Sequence, residues 1–411
     1  IGTPGNVFLI GRENDPTPGL PGEFFATSAF FNSKSRLNRS GDISFRAGRR
    51  GTSPRNGVWS GAPTNLSAAA MTGTLATNVG VNYRDISGNT LSQSGNIAFE
   101  SSLNTSADKA LFAGPTNALI KVFRFGETCH GMTNVFYGGG ASDGITFEHF
   151  NDDLLAYTVR ISGSGISTIN DSAFWAGTAE APQLIFQEGD VLPANLGGGN
   201  IAGASAFNVN TNGHMLIHSR LTNSADVLYW ADSVSKPTNW VEIAREGGVL
   251  PGLEISLSNL FTTLAFSLSD NGDVIFYGFV SGPGISTTND VAILRWVPST
   301  RTVQRIVQEG DMIEVLPGDF RKVTDFEFSG GLGQSASYSC GVNSSGQVAF
   351  SAVFSKVINN ITNTTRGIMI ANRPSTFADW AWRAKLPVGQ DGPGDDANDD
   401  DTTNTDHDSN G

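Results

Sequence analysis

One phrase, repeated along the chain, constrains what it can fold into more than any other feature. It reads Val342-Asn343-Ser344-Ser345-Gly346-Gln347-Val348-Ala349-Phe350, with copies at Leu37-Asn38-Arg39-Ser40-Gly41-Asp42-Ile43-Ser44-Phe45 and Leu91-Ser92-Gln93-Ser94-Gly95-Asn96-Ile97-Ala98-Phe99. Two more stand at Val209-Asn210-Thr211-Asn212-Gly213-His214-Met215-Leu216-Ile217 and Leu268-Ser269-Asp270-Asn271-Gly272-Asp273-Val274-Ile275-Phe276. A sixth, eroded copy at Phe150-Asn151-Asp152-Asp153-Leu154-Leu155-Ala156-Tyr157 has lost its glycine. The opening Asn or Ser caps a type I turn, the Gly takes the left-handed position, and a strand of alternating apolar residues follows. Each copy is therefore a β-hairpin.

Two further phrases fill the space between hairpins. One is a strand ending in a turn: Leu184-Ile185-Phe186-Gln187-Glu188-Gly189-Asp190, Ile243-Ala244-Arg245-Glu246-Gly247-Gly248 and Ile306-Val307-Gln308-Glu309-Gly310-Asp311. The other is an aromatic or aliphatic strand, as in Ala173-Phe174-Trp175, Val227-Leu228-Tyr229-Trp230 and Gly367-Ile368-Met369-Ile370. The turn glycines fall at 41, 95, 213, 272 and 346, giving a unit of 54 to 59 residues with one longer final step. Four strands in a unit of that length describe a propeller blade. The fold expected is all-β: a six-bladed β-propeller of four-stranded antiparallel blades over residues 1–374.

The last unit breaks at Arg373-Pro374 without a fourth strand, while Leu9-Ile10-Gly11-Arg12-Glu13-Asn14-Asp15 aligns without gaps on Leu184 to Asp190. The expectation is that the N-terminal strand, Val7 to Arg12, closes the ring by pairing with Gly367 to Ala371, which removes an open edge. Residues 375–390 then form a docking or linker segment carrying Trp380 and Trp382. Residues 391–411 form an acidic tail.

Composition narrows the class of function. The chain has 49 Gly and only 26 Lys plus Arg, the signature of a β-rich secreted protein, and Ile1 reads as a processed N-terminus. Of the net charge of −13, the eight Asp of residues 391–411 supply −8, so the remainder carries no basic patch or basic helix. That argues against nucleic-acid partners, and the absence of a long apolar run argues against a membrane span. Cys129 and Cys340 lie far apart with no zinc spacing; they form either one disulfide or two buried free thiols.

The N-x-x-G-x-x-A-F phrases, combined with E-G-D turns, resemble the choice-of-anchor secreted proteins of planctomycetes and related environmental bacteria, which carry tandem NxxGxxAF repeats. The resemblance covers about residues 5 to 374. It implies an extracellular or cell-surface protein with an anchoring or sorting element at its C-terminus. It implies no reaction and supplies no catalytic residues.

Chemistry has to be sought in carboxylates. His130, His149, His214, His218 and His407 are too scattered for a metal cluster, and no nucleophile elbow, P-loop or dinucleotide fingerprint occurs. The near-duplicate segments Ser162 to Asp171 and Ser281 to Asp290 stand to meet the turns holding Glu188, Asp190, Glu309 and Asp311. An acidic face built from Asp171, Glu188, Asp190, Asp290, Glu309 and Asp311 could hold Ca²⁺ or supply a glycosidase acid–base pair. The plainer reading is that these residues cap their own turns. In the tail, Asp406, Asp408 and Asn410 match the opening of a calcium loop, without the bidentate acid that completes it; a solvated acidic linker is the alternative.

Two functions are carried forward. The first is a non-enzymatic structural or adhesive surface protein whose partners are copies of itself or other cell-surface components. The second is a secreted carbohydrate-binding or glycoside-cleaving protein using the acidic face.

Overall fold

The computed structural model describes residues 9–26, 35–38, 40–50, 56–76, 78–138, 143–149, 154–192, 196, 198–210, 212–233, 239–260, 266–328, 341–343, 345–372 and 382–385. The fold is all-β and of propeller type: six antiparallel sheets follow one another along the chain, each built from neighbouring strands. Among the described residues no helix is long and apolar enough to cross a membrane. Two compact units divide the chain between Glu242 and Ile243.

Each hairpin forms as its sequence dictates. Asn38 Oδ1 accepts the Asp42 N–H at 2.8 Å, Asn210 Oδ1 that of His214 at 2.9 Å, and Asn343 Oδ1 that of Gln347 at 2.9 Å. The turn glycines sit at φ of 87° (Gly41), 87° (Gly95), 80° (Gly213), 87° (Gly272) and 75° (Gly346), the region that excludes β-branched side chains. The eroded copy falls partly outside the described residues, since 150–153 lie beyond them.

The core lies between successive sheets. In the first unit, Val58 and Ala70 of sheet one pack with Ile97, Phe99 and Phe112 of sheet two. Ala98 and Leu111 of sheet two pack with Tyr157 and Trp175 of sheet three, and Phe174 of sheet three with Phe207 and Ile217 of sheet four. In the second unit, Ile275 and Ile293 of sheet five pack with Val323, Phe350 and Phe354 of sheet six. Middle strands buried on both faces explain why their sequences are apolar runs rather than alternations, as in Val291–Val297.

A second repeated element joins the end of a fourth strand to the segment that follows it. At the end of a fourth strand, Gly189 N–H donates to Ile201 O at 2.7 Å and Ile201 N–H returns a bond to Asp190 O at 3.0 Å. Gly73 pairs the same way with Tyr83, Gly126 with Tyr137, Gly247 with Leu257 and Gly310 with Val323, all with N···O distances of 2.7 to 2.8 Å. Asn14, at φ 64°, repeats the link to Phe25 at 3.1 Å.

Two expectations need correction. Sheets three, five and six hold five strands rather than four, because Val135–Tyr137, Phe266–Leu268 and the hairpin of Met312–Leu316 with Asp319–Glu327 add strands. Among the described residues, no N-terminal strand pairs with the sixth sheet. Leu9–Arg12 belongs to no strand, Val7 lies outside the described residues, and the edge at Ile368–Ala371 is paired by Trp382–Lys385. That segment needs only backbone groups to add to an open edge, so no repeat phrase announces it. Cys129 is a buried free thiol, pushed up to about 12 by burial, while Cys340 and Trp380 lie outside the described residues.

The fold yields two stability predictions. Around Gly213 an added Cβ would meet nothing within 4 Å, so Gly213→Val isolates the backbone penalty; it is expected to destabilise by about 1–3 kcal/mol, and Gly213→Asn by less, in chemical denaturation. Equal stability of wild type and Gly213→Val would contradict the left-handed assignment. In sheet five, Asp273 and Arg295 form an ion pair with both side chains fully buried. Asp273→Ala removes this carboxylate from the buried guanidinium and is expected to lose about 3–5 kcal/mol by the same measurement.

Candidate functional site

Sheets three and five carry the same surface device. The strand connection that takes four residues (222–225) in sheet four takes eight (164–171) in sheet three and nine (282–290) in sheet five. The strands do not need the extra length. Inside the first long loop, Asn170 Oδ1 accepts the Ser167 N–H at 2.6 Å while its Nδ2 donates to Gly165 O at 3.0 Å. In the second, Asn289 Oδ1 accepts from Ser286 N–H at 2.6 Å and Nδ2 donates to Gly284 O at 3.1 Å. One Asn amide thus fixes each loop.

Each loop is then clasped to the turn that ends its own sheet. Gln187 Nε2 donates to Asn170 O at 2.7 Å, and Gln308 Nε2 makes the same bond to Asn289 O. The approach is close enough that a Cβ on Gly189 would stand 3.3 Å from Ile169 O, and one on Gly310 3.3 Å from Asn289 Cβ. Sequence reasoning missed these glutamines. Their signal was present, since Q-E-G-D turns accompany the two long loops whereas sheet four has Arg245 in that place.

The six acids divide by role, three in each unit. Asp190 Oδ2 accepts the Gln187 N–H at 2.7 Å and Asp311 Oδ2 the Gln308 N–H at 2.8 Å, so both cap their own turns. Asp171 pairs with Arg160, whose guanidinium also lies 3.7 Å from Asp143. The charge of Asp171 acts on Glu188, and that of Asp290 on Glu309. Burial first, and then the charge of Asp171, push the Glu188 carboxyl above its ordinary range; burial, then Asp290 and Asp325, do the same to Glu309. A cleft of about 340 Å³, lined by Asp143, Arg160, Ser162, Ile166, Ser167, Thr168 and Asp171, opens beside the loop of sheet three.

Among the described residues no group of three or more His, Cys, Asp or Glu is placed to hold a metal ion. Asp406, Asp408 and Asn410 lie outside the described residues. The histidines have local partners: His214 Nδ1 meets Asn210 Nδ2 at 2.9 Å, and His218 Nε2 meets Asp226 Oδ1 at 3.2 Å in the core of sheet four. His130 Nδ1 meets the Tyr137 hydroxyl at 2.7 Å, and that hydroxyl meets Tyr157 at 3.0 Å.

The chain belongs to DUF7453, a family of unknown function, whose profile matches residues 1–233 and again 224–372. No curated protein matches it. Among solved structures it is similar to the β-propeller domain of the Trilobed protease from Pyrococcus furiosus, at 9% identity over 88% of this chain and 99% of that one, with a TM-score of 0.29. It is also similar to the SapL1 lectin, solved with alpha methyl fucoside (10% identity, 89% and 98% covered, TM-score 0.31), and to a fucose-specific lectin from Aleuria aurantia (10% identity, 89% and 99% covered, TM-score 0.29). The fold assignment rests on the six sheets rather than on these scores.

The raised carboxyls set a pH dependence. A carboxyl whose native pKa exceeds its unfolded value of about 4.5 stabilises fully below that value, and the contribution is lost as pH climbs through the native pKa. Glu188→Gln combined with Glu309→Gln cannot ionise. Its stability relative to wild type is therefore expected to rise between about pH 4 and pH 7 in denaturant titrations; a difference that is flat or shrinks with pH would contradict the assignment.

Proposed function

We propose that the protein is an extracellular adhesive β-propeller protein, a subunit of a surface assembly, which contacts polyhydroxylated partners such as surface glycans through the paired loops of sheets three and five. The observation that carries this reading is the duplication of a loop longer than its strands require, held by the same Asn and Gln in both copies. Strand connection does not explain the repetition. The exposed tips, Ser167-Thr168 and Ser286-Thr287, offer hydroxyls beside carboxylates, the donor and acceptor set that sugars engage.

A glycoside-cleaving role is favoured less. Cleavage needs two carboxyls about 5 to 9.5 Å apart with the sugar between them. The cleft beside the loop of sheet three is lined by Asp143 and Asp171, and Asp171 is already paired with Arg160. The extracellular location draws on the glycine-rich, lysine-poor composition and on the likeness to tandem-repeat secreted proteins. Ca²⁺ is proposed only for the acidic tail, where Asp406, Asp408 and Asn410 supply oxygen ligands at alternating positions.

An array of neutral and acidic oligosaccharides tests the reading. The wild type is expected to bind a subset, and Ser167→Ala, Thr168→Ala, Ser286→Ala and Thr287→Ala together to lose at least ten-fold in retention with an unchanged melting temperature, about 1.4 kcal/mol by the usual conversion. Wild-type protein bound by no glycan, or a loop variant that binds as wild type, would overturn it.

A further inference from the structure

Tyr137 arrives on Val135–Tyr137, the strand that gives sheet three its fifth member, and it stands where sheets two and three meet. Its ring stacks on Phe123 of sheet two with centroids 4.3 Å apart and lies 5.2 Å from Trp175 of sheet three. Trp175 in turn stacks on Tyr157 at 5.5 Å. All three of Tyr137, Tyr157 and Trp175 are buried in the apolar cluster that joins the two sheets. Apolar packing accounts for the rings, but not for two phenol hydroxyls set side by side within that cluster.

The direction of each hydrogen bond follows from where the protons can go. The Tyr157 hydroxyl is fully buried and among the described residues meets only Tyr137, at 3.0 Å, so it donates to Tyr137; otherwise its own proton would be left unpaired in the core. The His130 backbone N–H donates to the same Tyr137 oxygen at 3.1 Å, which fills the second lone pair. The Tyr137 proton then has one place to go, His130 Nδ1 at 2.7 Å. The imidazole is suited to receive it: Trp175 Nε1 donates to the His130 carbonyl at 3.1 Å, which holds the residue in place, and burial lowers the His130 pKa, which favours the neutral ring. Tyr277, by contrast, directs its hydroxyl at the Phe326 carbonyl, a group that takes up no proton at neutral pH.

We propose that Tyr137 is a one-electron redox site, at which an oxidant of the free-radical class, such as a peroxyl radical, takes an electron while the Tyr137 proton passes to His130 Nδ1. The electron leaves through the touching rings of Tyr137, Trp175 and Tyr157, and the Tyr137 O–H bond breaks. The oxidant is reduced by one electron, Tyr137 becomes a neutral phenoxyl radical, and His130 becomes an imidazolium. Losing the electron without the proton would leave a positive charge in an apolar core, which is costly. With the proton on His130 the charge sits on a half-buried ring in the field of Glu127. Oxidising equivalents that reach this core therefore collect at Tyr137 rather than at Tyr157, whose hydroxyl faces only another phenol.

Flash oxidation of the full chain by a photogenerated ruthenium polypyridyl oxidant, followed by freezing and electron paramagnetic resonance, tests this. Wild type is expected to give a tyrosyl radical that forms more slowly in heavy water, because an O–H bond breaks. Tyr137→Phe is expected to lose that signal and Tyr157→Phe to keep it. His130→Ala leaves Tyr137 in place and removes the proton acceptor from a half-buried position; it is expected to lose the signal while keeping the native circular dichroism. A wild-type radical confined to tryptophan or to the Cys129 thiol, formation at the same rate in heavy water, or a signal equal to wild type in Tyr137→Phe or in His130→Ala would each overturn the proposal.

Discussion

The structure depends on one small interaction made five times at the ends of fourth strands and once more at Asn14: the left-handed residue of the turn gives its N–H to the first strand region that follows and receives a bond from it. The pair is short in sequence but joins two sheets. Within each unit it fixes where a sheet starts relative to the one before, and so decides which apolar faces meet. Without it, an isolated four-stranded meander would have two hydrophobic faces and no rule for covering them. Glycine is favoured because the turn needs positive φ, and Asn14 is the tolerated exception, since its short amide allows the same conformation.

The same turn organises the candidate site. Its residue before Glu is Gln where a long loop must be held and Arg245 where none is present, so a single position distinguishes sheets that carry the surface device from one that does not. Its final Asp is occupied in capping. Its Glu, partly buried and in the field of Asp171 or Asp290, keeps a proton more readily than an exposed carboxyl would. One local element thus does the joining, the clasping and the electrostatics.

How much of this was legible in the sequence follows from the range of each interaction. The hairpins were readable because Asn38, Asn210 and Asn343 bond backbone four residues away. The capping role of Asp190 and Asp311 was readable as the plainer of two alternatives, because it too is local. The reach of Gln187 to Asn170 joins segments 17 residues apart, and no periodicity reports a side-chain bond at that distance. Misplacing the fourth strand of sheet six has a different cause. Leu9–Arg12 and Trp382–Lys385 both satisfy a backbone edge, and the sequence register favoured the first while the structure seats the second.

Native-state hydrogen exchange on the linking amides tests the central claim most directly. If the repeated pair joins the sheets, the N–H groups of Gly73, Gly126, Gly189, Gly247 and Gly310 will exchange together, as slowly as amides inside the middle strands. Exchange of these five at the rate of the exposed loop tips around Ser167 and Ser286 would mean that the sheets are held by side-chain packing alone, and would contradict it.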